Sequence, residues 1–287
     1  TQEQKEAWLP DLVAGRHLAG FGLTEPGAGS DAGGTQTTAA LEDGQWRING
    51  AKEFITNSGT DITSLVTVTA VTGTVEGRTG HDGRPAKEIS TILVPAGTEG
   101  FSVAKAYDKV GWNSSDTHAL HFTDARVPEE NLLGARGRGF AHFLEILDEG
   151  RIAIAALATG AAQGCVDESV AYAKQRTSFG QKIGQFQAVS FKIARMQARA
   201  HAARLAYYEA AQKMLAGKPF KTEAAMAKLI AGEAAMDNAR DATQVFGGYG
   251  FMNETLVARH YRDSKILEVG EGTTEVQLML IARELGL

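Results

Sequence analysis

The 287 residues contain one cysteine, Cys165, so no intrachain disulfide can form, and the chain suits a reducing compartment. Cys165 falls in an alanine-rich helical stretch and reads as buried filler rather than a reactive thiol. No segment is apolar for long enough to span a membrane as a helix. Basic runs never exceed a few residues and the net charge is -5, which excludes a general nucleic-acid surface. The seven histidines are scattered. His118 and His121 stand three apart in a strand-like stretch, so they point to opposite faces, start no metal site and read as structural. There is no Walker A sequence and no Ser-His-Asp arrangement to be read. What remains is an ordinary globular composition, 43% hydrophobic and 22% charged, long enough for one large or two moderate domains.

The chain changes character near residue 130. Residues 18–127 are rich in Thr, Val, Ile and Gly in short alternating runs, the pattern of half-buried strands. Residues 46–56 carry Asn49-Gly50 between strand-like residues, a hairpin signal, and residues 65–72, 89–94 and 117–122 read as further strands. Residues 73–87, Gly-rich and charged, read as an exposed hairpin loop or small insertion. From Gly139 onward the period is helical. Phe186, Val189, Ile193, Met196, Ala200, Ala203, Tyr207, Ala210 and Met214 recur at steps of three and four, one continuous apolar seam. Residues 140–176 and 222–246 read as two more long helices, and residues 261–287 as the last helical material. The predicted fold class is α+β: an antiparallel β-barrel-like domain over residues 18–128, then a C-terminal four-helix bundle over residues 129–287.

The densest local pattern is Val269-Gly270-Glu271-Gly272-Thr273-Thr274-Glu275-Val276-Gln277. It sets one carboxylate between two glycines, just before a helix start. Thr274 with Gln277 fits a capping box, predicting a helix from about Thr274 through Leu285. Flanking glycines let the backbone approach a ligand and strip the carboxylate of bulky neighbours. That presentation suits proton abstraction; a first-turn acid favoured by the helix dipole is the plainer alternative. A second pattern, Gly27-Ala28-Gly29-Ser30, can bring backbone N–H groups to a ligand, although it also fits a simple turn cluster. It is no Rossmann fingerprint, because no strand-to-helix transition surrounds it.

Four blocks in order settle these alternatives. They are residues 22–31 (Gly-Leu-Thr-Glu-Pro-Gly-Ala-Gly-Ser-Asp), residues 176–180 (Arg-Thr-Ser-Phe-Gly) followed by Gln187, residues 244–251 (Gln-Val-Phe-Gly-Gly-Tyr-Gly-Phe), and Glu271-Gly272-Thr273. With these blocks at these spacings, the chain resembles the acyl-CoA dehydrogenase family from about residue 18 to its end. The resemblance implies bound FAD. Phe21, Leu23, Thr24, Gly29, Ser30, Phe54, Ile55 and Thr56 would line the flavin, with Thr24 and Thr56 bonding its polar edge. Phe54 stands where many relatives carry tryptophan, so stacking is kept and the indole N–H is lost. Arg176, Ser178, Phe179, Phe186, Gln187, Gln244, Val245, Gly247 and Gly248 would reach the pyrophosphate and adenosine of the FAD of a neighbouring subunit, and Thr273 and Glu275 add further contacts. An arginine suits phosphate because its fork donates two parallel hydrogen bonds. FAD would thus lie at a dimer interface within a homotetramer, a dimer of dimers. Residues 1–17 look like the remnant of the helical domain that precedes the β-domain in the family.

The resemblance assigns Glu271 as the base that removes the α-proton of an acyl-CoA while hydride passes from the β-carbon to flavin N5. Water exclusion raises the pKa of such a base; the helix N-terminus opposes this by about 0.3–1 kcal/mol. Ser30, Asp148, Arg151 and Gly272 are the expected substrate contacts. Some relatives place the base beside that arginine, but here the position is Gly150, so Glu271 keeps the role. Gly270 replaces a tyrosine that often precedes the base in medium- and short-chain relatives, which predicts a wider pocket near the α-carbon. The expected electron acceptor is an electron-transfer flavoprotein. An oxidase of the same fold and a non-catalytic partner subunit are the alternatives. A cytoplasmic bacterial setting is expected, with the mitochondrial matrix as the other option.

Overall fold

Period-two burial builds the first half of the molecule. In the computed structural model, which describes residues 1–80 and 83–287, a short helix α1 (Gln2–Val13), capped by the Thr1 hydroxyl, precedes eight strands. These are β1 (Leu18–Gly22), β2 (Thr38–Glu42), β3 (Gln45–Thr56), β4 (Thr63–Thr79), β5 (Pro85–Pro95), β6 (Phe101–Val103), β7 (Thr117–Pro128) and β8 (Leu132–Leu133). They form one curled sheet in the order β6-β7-β3-β2-β4-β5-β8, with β1 running parallel along β4. The neighbours pair antiparallel except at Thr38↔Val71, where β2 touches β4 in parallel. Inward-facing Trp46, Ile48, Ile55, Val66, Val68, Ile92, Val94, Leu120, Phe122 and Val127 make the core. The Trp46 indole donates to the Glu129 carbonyl at 3.1 Å, so its one polar atom is satisfied inside.

Two sequence expectations are corrected here. Asn49-Gly50 makes no hairpin: β3 runs straight through it, with a bulge against β7 between Ile48 and Gly50. Gly50 takes φ +147°, and a Cβ there would meet the Thr37 side chain at 2.5 Å, so glycine answers close packing rather than a turn. The turn lies earlier, at Asp43-Gly44, with φ of 50° and 75°, which closes β2 on β3 through Glu42↔Gln45. Residues 73–87, expected as an exposed hairpin loop or small insertion, are mostly exposed and hairpin-like, but they extend the ladder rather than leave it: Gly73 pairs with Glu88, Thr74 with Lys87 and Thr79 with Pro85. Residues 81–82 of that stretch lie outside the described residues. His118 is buried, bound to Asp116 at 2.6 Å and to the Ala104 carbonyl at 2.7 Å, while His121 is exposed on the other face.

The second half is helical: α2 (Gly139–Gln175), a small hairpin of β9 (Thr177–Ser178) and β10 (Gln181–Lys182), then α3 (Gln187–Leu215), α4 (Lys221–Phe246), α5 (Leu256–Asp263), α6 (Ile266–Val269) and α7 (Thr274–Glu284). The chain divides into two compact units, residues 1–109 with 113–145, and residues 110–112 with 146–287. The first turns of α2 therefore group with the sheet.

The interior of the helical unit is lined mostly by alanine. Ala155, Ala158 and Ala162 of α2 meet Ala200, Ala203 and Ala210 of α3, and Ala224, Ala227, Ala231, Ala234 and Ala235 of α4. The expected seam of α3 faces inward: Ala200, Ala203, Ala210, Tyr207 and Met214 meet this core, Met196 packs with Cys165 and Val166, and Phe186, Val189 and Ile193 pack against Ala173, Ile183 and Val245. Asn238 of α4 is fully buried and ties the helices together, donating to the Ala162 and Met196 carbonyls at 3.1 and 2.9 Å. Cys165 is buried and unpaired, and burial pushes its thiol up to about 12, so it is inert filler.

Candidate functional site

In the sheet unit, the loop after β1 is held by a buried ion pair. Lys52 of β3, wholly buried, donates to Glu25 Oε1 at 2.7 Å, to the Leu23 carbonyl at 3.1 Å and to Thr69 Oγ1 at 3.0 Å. The Glu25 carboxylate also accepts from the backbone N–H groups of Gln36 and Thr37. Burial works to raise the Glu25 carboxyl, but Lys52 and these donors outweigh it and hold it below the usual range. Burial brings Lys52 down to about 8 despite the carboxylate. Glu25 and Ala28 exchange backbone hydrogen bonds, closing the turn at Pro26-Gly27, and the Glu53 N–H donates to the Thr24 carbonyl at 2.8 Å. The loop is thus fixed at both ends, with Leu23 and Thr24 half-buried and Gly29 and Ser30 exposed.

Beside it, β3 makes a second irregularity between Lys52 and Ile55. Phe54 adopts φ +61° there and turns its ring outward, 64% exposed, while Ile55 points into the core. Phe54 leans on the Tyr107 ring at 5.4 Å, and Tyr107 donates to Glu53. Phe21, on the outward face of β1, is partly exposed and stacks on Phe143 at 4.0 Å. Thr56 is exposed as well. Two accessible aromatic rings and an accessible hydroxyl therefore stand on the side of these strands away from the core. The Ile55 side chain is inside, so this residue offers a ligand only its backbone.

In the helical unit, Glu271 sits in the turn between α6 and α7 with φ +56°, a left-handed conformation that costs a non-glycine residue about 1–2 kcal/mol. Thr273, rather than Thr274, caps α7, accepting from the Val276 N–H at 3.4 Å. Gln277 does not close a capping box. It turns inward, fully buried, and donates to the Gly272 carbonyl at 2.8 Å and the Glu271 carbonyl at 3.4 Å. Lys228 of α4, also buried, donates to the Gly272 carbonyl at 2.7 Å and the Glu268 carbonyl at 3.1 Å. The Glu271 carboxylate reaches α2, where a Cβ on Gly150 would come within 2.9 Å of Glu271 Oε2. Crowding by protein raises the Glu271 carboxyl above its ordinary range, against the opposing charges of Arg151 and Lys228. The residue as a whole is nevertheless exposed, so it is the protein packed round its carboxylate end, not full enclosure, that the rise reflects.

Next to Gly150, Arg151 is buried and pairs with Asp148, whose other oxygen lies 4.0 Å from Lys221. The Arg151 Nε finds no acceptor among the described residues, which leaves a buried donor unused. Glu149 is exposed.

At the other end of the unit, a cavity of about 500 Å³ is lined by Arg176, Ser178, Val245, Gly247, Gly248 and Tyr249, among others. The Arg176 guanidinium lies 5.8 Å from the Tyr249 ring centre. A Cβ on Gly247 or Gly248 would meet no protein atom, so the backbone here is open to a ligand. Gln244 is exposed near by, Gln187 begins α3, and Phe186 meets Phe179 edge to face at 6.3 Å. Phe179 occupies the tip of the β9–β10 hairpin with φ +50° and is 94% exposed. Thr273 and exposed Glu275 open α7. Lys52, Lys228, Gln277 and Tyr249 were not among the expected site residues. The lysines could have been found from their periodicity, since each falls on the inward side of its element.

The family profile "Acyl-CoA dehydrogenase, middle domain" matches residues 20–125, and "Acyl-CoA dehydrogenase, C-terminal domain" matches residues 137–286. A probable acyl-CoA dehydrogenase of Bacillus subtilis, YngJ, is 47% identical over 99% of this chain and 73% of its own length. The solved butyryl-CoA dehydrogenase of Megasphaera elsdenii superposes with a TM-score of 0.91 at 44% identity, covering 100% of this chain and 73% of that one. An acyl-CoA dehydrogenase of Bacillus anthracis solved with FAD gives 0.90 at 32% identity over 99% and 50%. By its sequence, by the curled sheet followed by a helical domain, and by these relatives, the chain belongs to the acyl-CoA dehydrogenase family of oxidoreductases.

Proposed function

We propose that the protein is an FAD-dependent dehydrogenase of acyl-CoA thioesters in which Glu271 removes the α-proton. The observation that carries this is the Glu271 turn: a carboxylate forced into a left-handed conformation, facing a glycine on α2, with its pKa raised by its surroundings. A raised pKa brings a carboxylate closer to the basicity that a thioester α-proton demands. As electrons move from the breaking α-C–H bond toward the thioester carbonyl, its oxygen needs a donor. The Glu271 N–H makes no hydrogen bond among the described residues and is available to give one. Arg151 Nε offers another donor for the substrate.

The residues fit FAD. The exposed rings of Phe21 and Phe54 suit a planar ring system. The Arg176–Gly248 cavity, lined by no carboxylate, suits a pyrophosphate. FAD, when bound, supplies the acceptor for the β-hydride, so that loss of proton and hydride leaves a trans-2-enoyl-CoA. The exposed Phe179 tip and the open glycine cavity support a homotetramer, a dimer of dimers, with these residues serving a neighbouring subunit's FAD. An electron-transfer flavoprotein is the proposed acceptor of the electrons.

The test is anaerobic mixing of the FAD-loaded protein with a panel of acyl-CoAs beginning at butyryl-CoA, following flavin absorbance. Bleaching is expected in the parent and should slow at least about a thousandfold in Glu271→Gln. Unchanged bleaching in that variant sinks the base assignment. Rapid reoxidation of the reduced protein by oxygen would instead favour an oxidase.

A further inference from the structure

We propose that Lys228 is a positioning residue for the base: its buried ammonium staples the carbonyls on both sides of Glu271 and holds a positive charge beside the carboxylate. The proposal rests on the reading of Glu271 as base.

Three observations carry it. First, Lys228 bonds Glu268 O and Gly272 O at 3.1 and 2.7 Å, three residues before Glu271 and one after, so a single side chain spans the turn. Second, the turn needs holding, because Glu271 keeps φ +56° without being glycine. Such conformations persist only where the surroundings over-determine them. The Gln277 amide supplies a second tether at the Gly272 carbonyl, 2.8 Å away. Third, Lys228 is wholly buried and has no carboxylate within ion-pair distance among the described residues, although Lys265 pairs with Glu268 at 2.6 Å close by. The groups that act on Lys228 electrostatically include Glu268, Arg151, Glu271 and Glu275, and burial lowers it to about 8, so it is charged at neutral pH. A buried cation whose hydrogen bonds go to carbonyls, with a reacting carboxylate in range, is an expensive arrangement for simple packing.

Glu271 thus has two opposed influences. Desolvation raises its pKa, while Arg151 and Lys228 restrain the rise. Removing Lys228 should misplace the carboxylate and also let its pKa climb further. Removing Gln277 should misplace it without a change of charge.

The experiment uses the FAD-loaded protein with 3,3-dimethylbutyryl-CoA, whose β-carbon carries no hydrogen, so that only α-proton exchange can occur. Exchange in deuterium oxide is read by mass spectrometry across pH. A parent that does not exchange, or a Glu271→Gln variant that still does, sinks the base assignment itself. With that control in place, Lys228→Met should lower exchange about a hundredfold and move the acid limb of the pH profile to higher pH. Gln277→Met should lower the rate and leave the limb in place. FAD content and unfolding temperature are measured on each variant. A folded Lys228→Met protein with the parent's rate, or with the parent's acid limb, overturns the proposal. If Lys228→Met does not fold, Gln277→Met decides: an unchanged rate overturns the staple and a lowered rate supports it.

Discussion

Each unit of this molecule buries one lysine completely, and the two are used differently. Lys52 in the sheet unit meets a buried carboxylate, Glu25, which in turn gathers two backbone N–H groups. Lys228 in the helical unit meets, among the described residues, only carbonyl oxygens at hydrogen-bond distance. The first arrangement cancels its own charge and serves to fix a loop. The second exports a positive charge to its surroundings, where Glu271 stands. The same residue type, closed off from solvent in both places, acts as a structural lock in one and as an electrostatic tool in the other. The difference is whether a counter-charge was supplied.

The largest expected effect breaks the first half of this comparison. Lys52→Met leaves Glu25 buried without its cation and should destabilise the protein by about 3–5 kcal/mol, measured by urea unfolding. Adding Glu25→Gln should recover a substantial part of that loss. A double variant as unstable as the single one would show that the pair is not what Lys52 contributes.

A smaller effect probes the second half. Gly150→Ala places a methyl group 2.9 Å from Glu271 Oε2, and the flexible end of the glutamate must move. Flavin reduction should slow at least about tenfold, with little loss of stability. A parent-like rate would mean that the carboxylate works from another rotamer.

The smallest effect sharpens both halves at once. Each lysine falls from 10.5 to about 8 on folding, so between those values the unfolded chain binds more protons than the folded one. Stability should therefore rise with pH once it passes about 8. Above about pH 9, Cys165 opposes this, because its thiol is raised from 9.0 to about 12 in the fold. Unfolding temperatures taken between pH 8 and 9 should climb, and less so in Lys228→Met. A flat response would place both lysines closer to their ordinary pKa.

Much of the fold could be read from periodicity. The α3 seam, the strand alternation and the Glu271 turn all follow local spacing; α7 begins where expected, at Thr274, but with Thr273 as its cap and without the capping box. Asn49-Gly50 misled because the hairpin signal describes two residues, whereas the bulge there answers Thr37, in the segment that leads into β2. The Phe54 ring turns outward for a similar reason: strict alternation from Trp46 and Ile48 would put it inside, and an irregularity against β7 reverses it. Lys52 and Lys228 look like surface charges by residue type. Yet Lys52 shares the inward parity of Trp46 and Ile48, and Lys228 falls on the stripe of Ala224, Ala231 and Ala235. Their acceptors are supplied by distant segments, which no local window contains.

The alanine facing of α4 carries a consequence of its own. Alanine has no rotamers to freeze, so assembling this interface costs backbone order but almost no side-chain freedom. It also makes mutation one-sided. At Ala231 or Ala235 nearly every substitution adds atoms to a space already closed, and glycine, the one smaller choice, costs about 1 kcal/mol in helix propensity. Sequence drift along this helix is therefore expected as matched exchanges across the contact, one side chain growing while the residue opposite recedes.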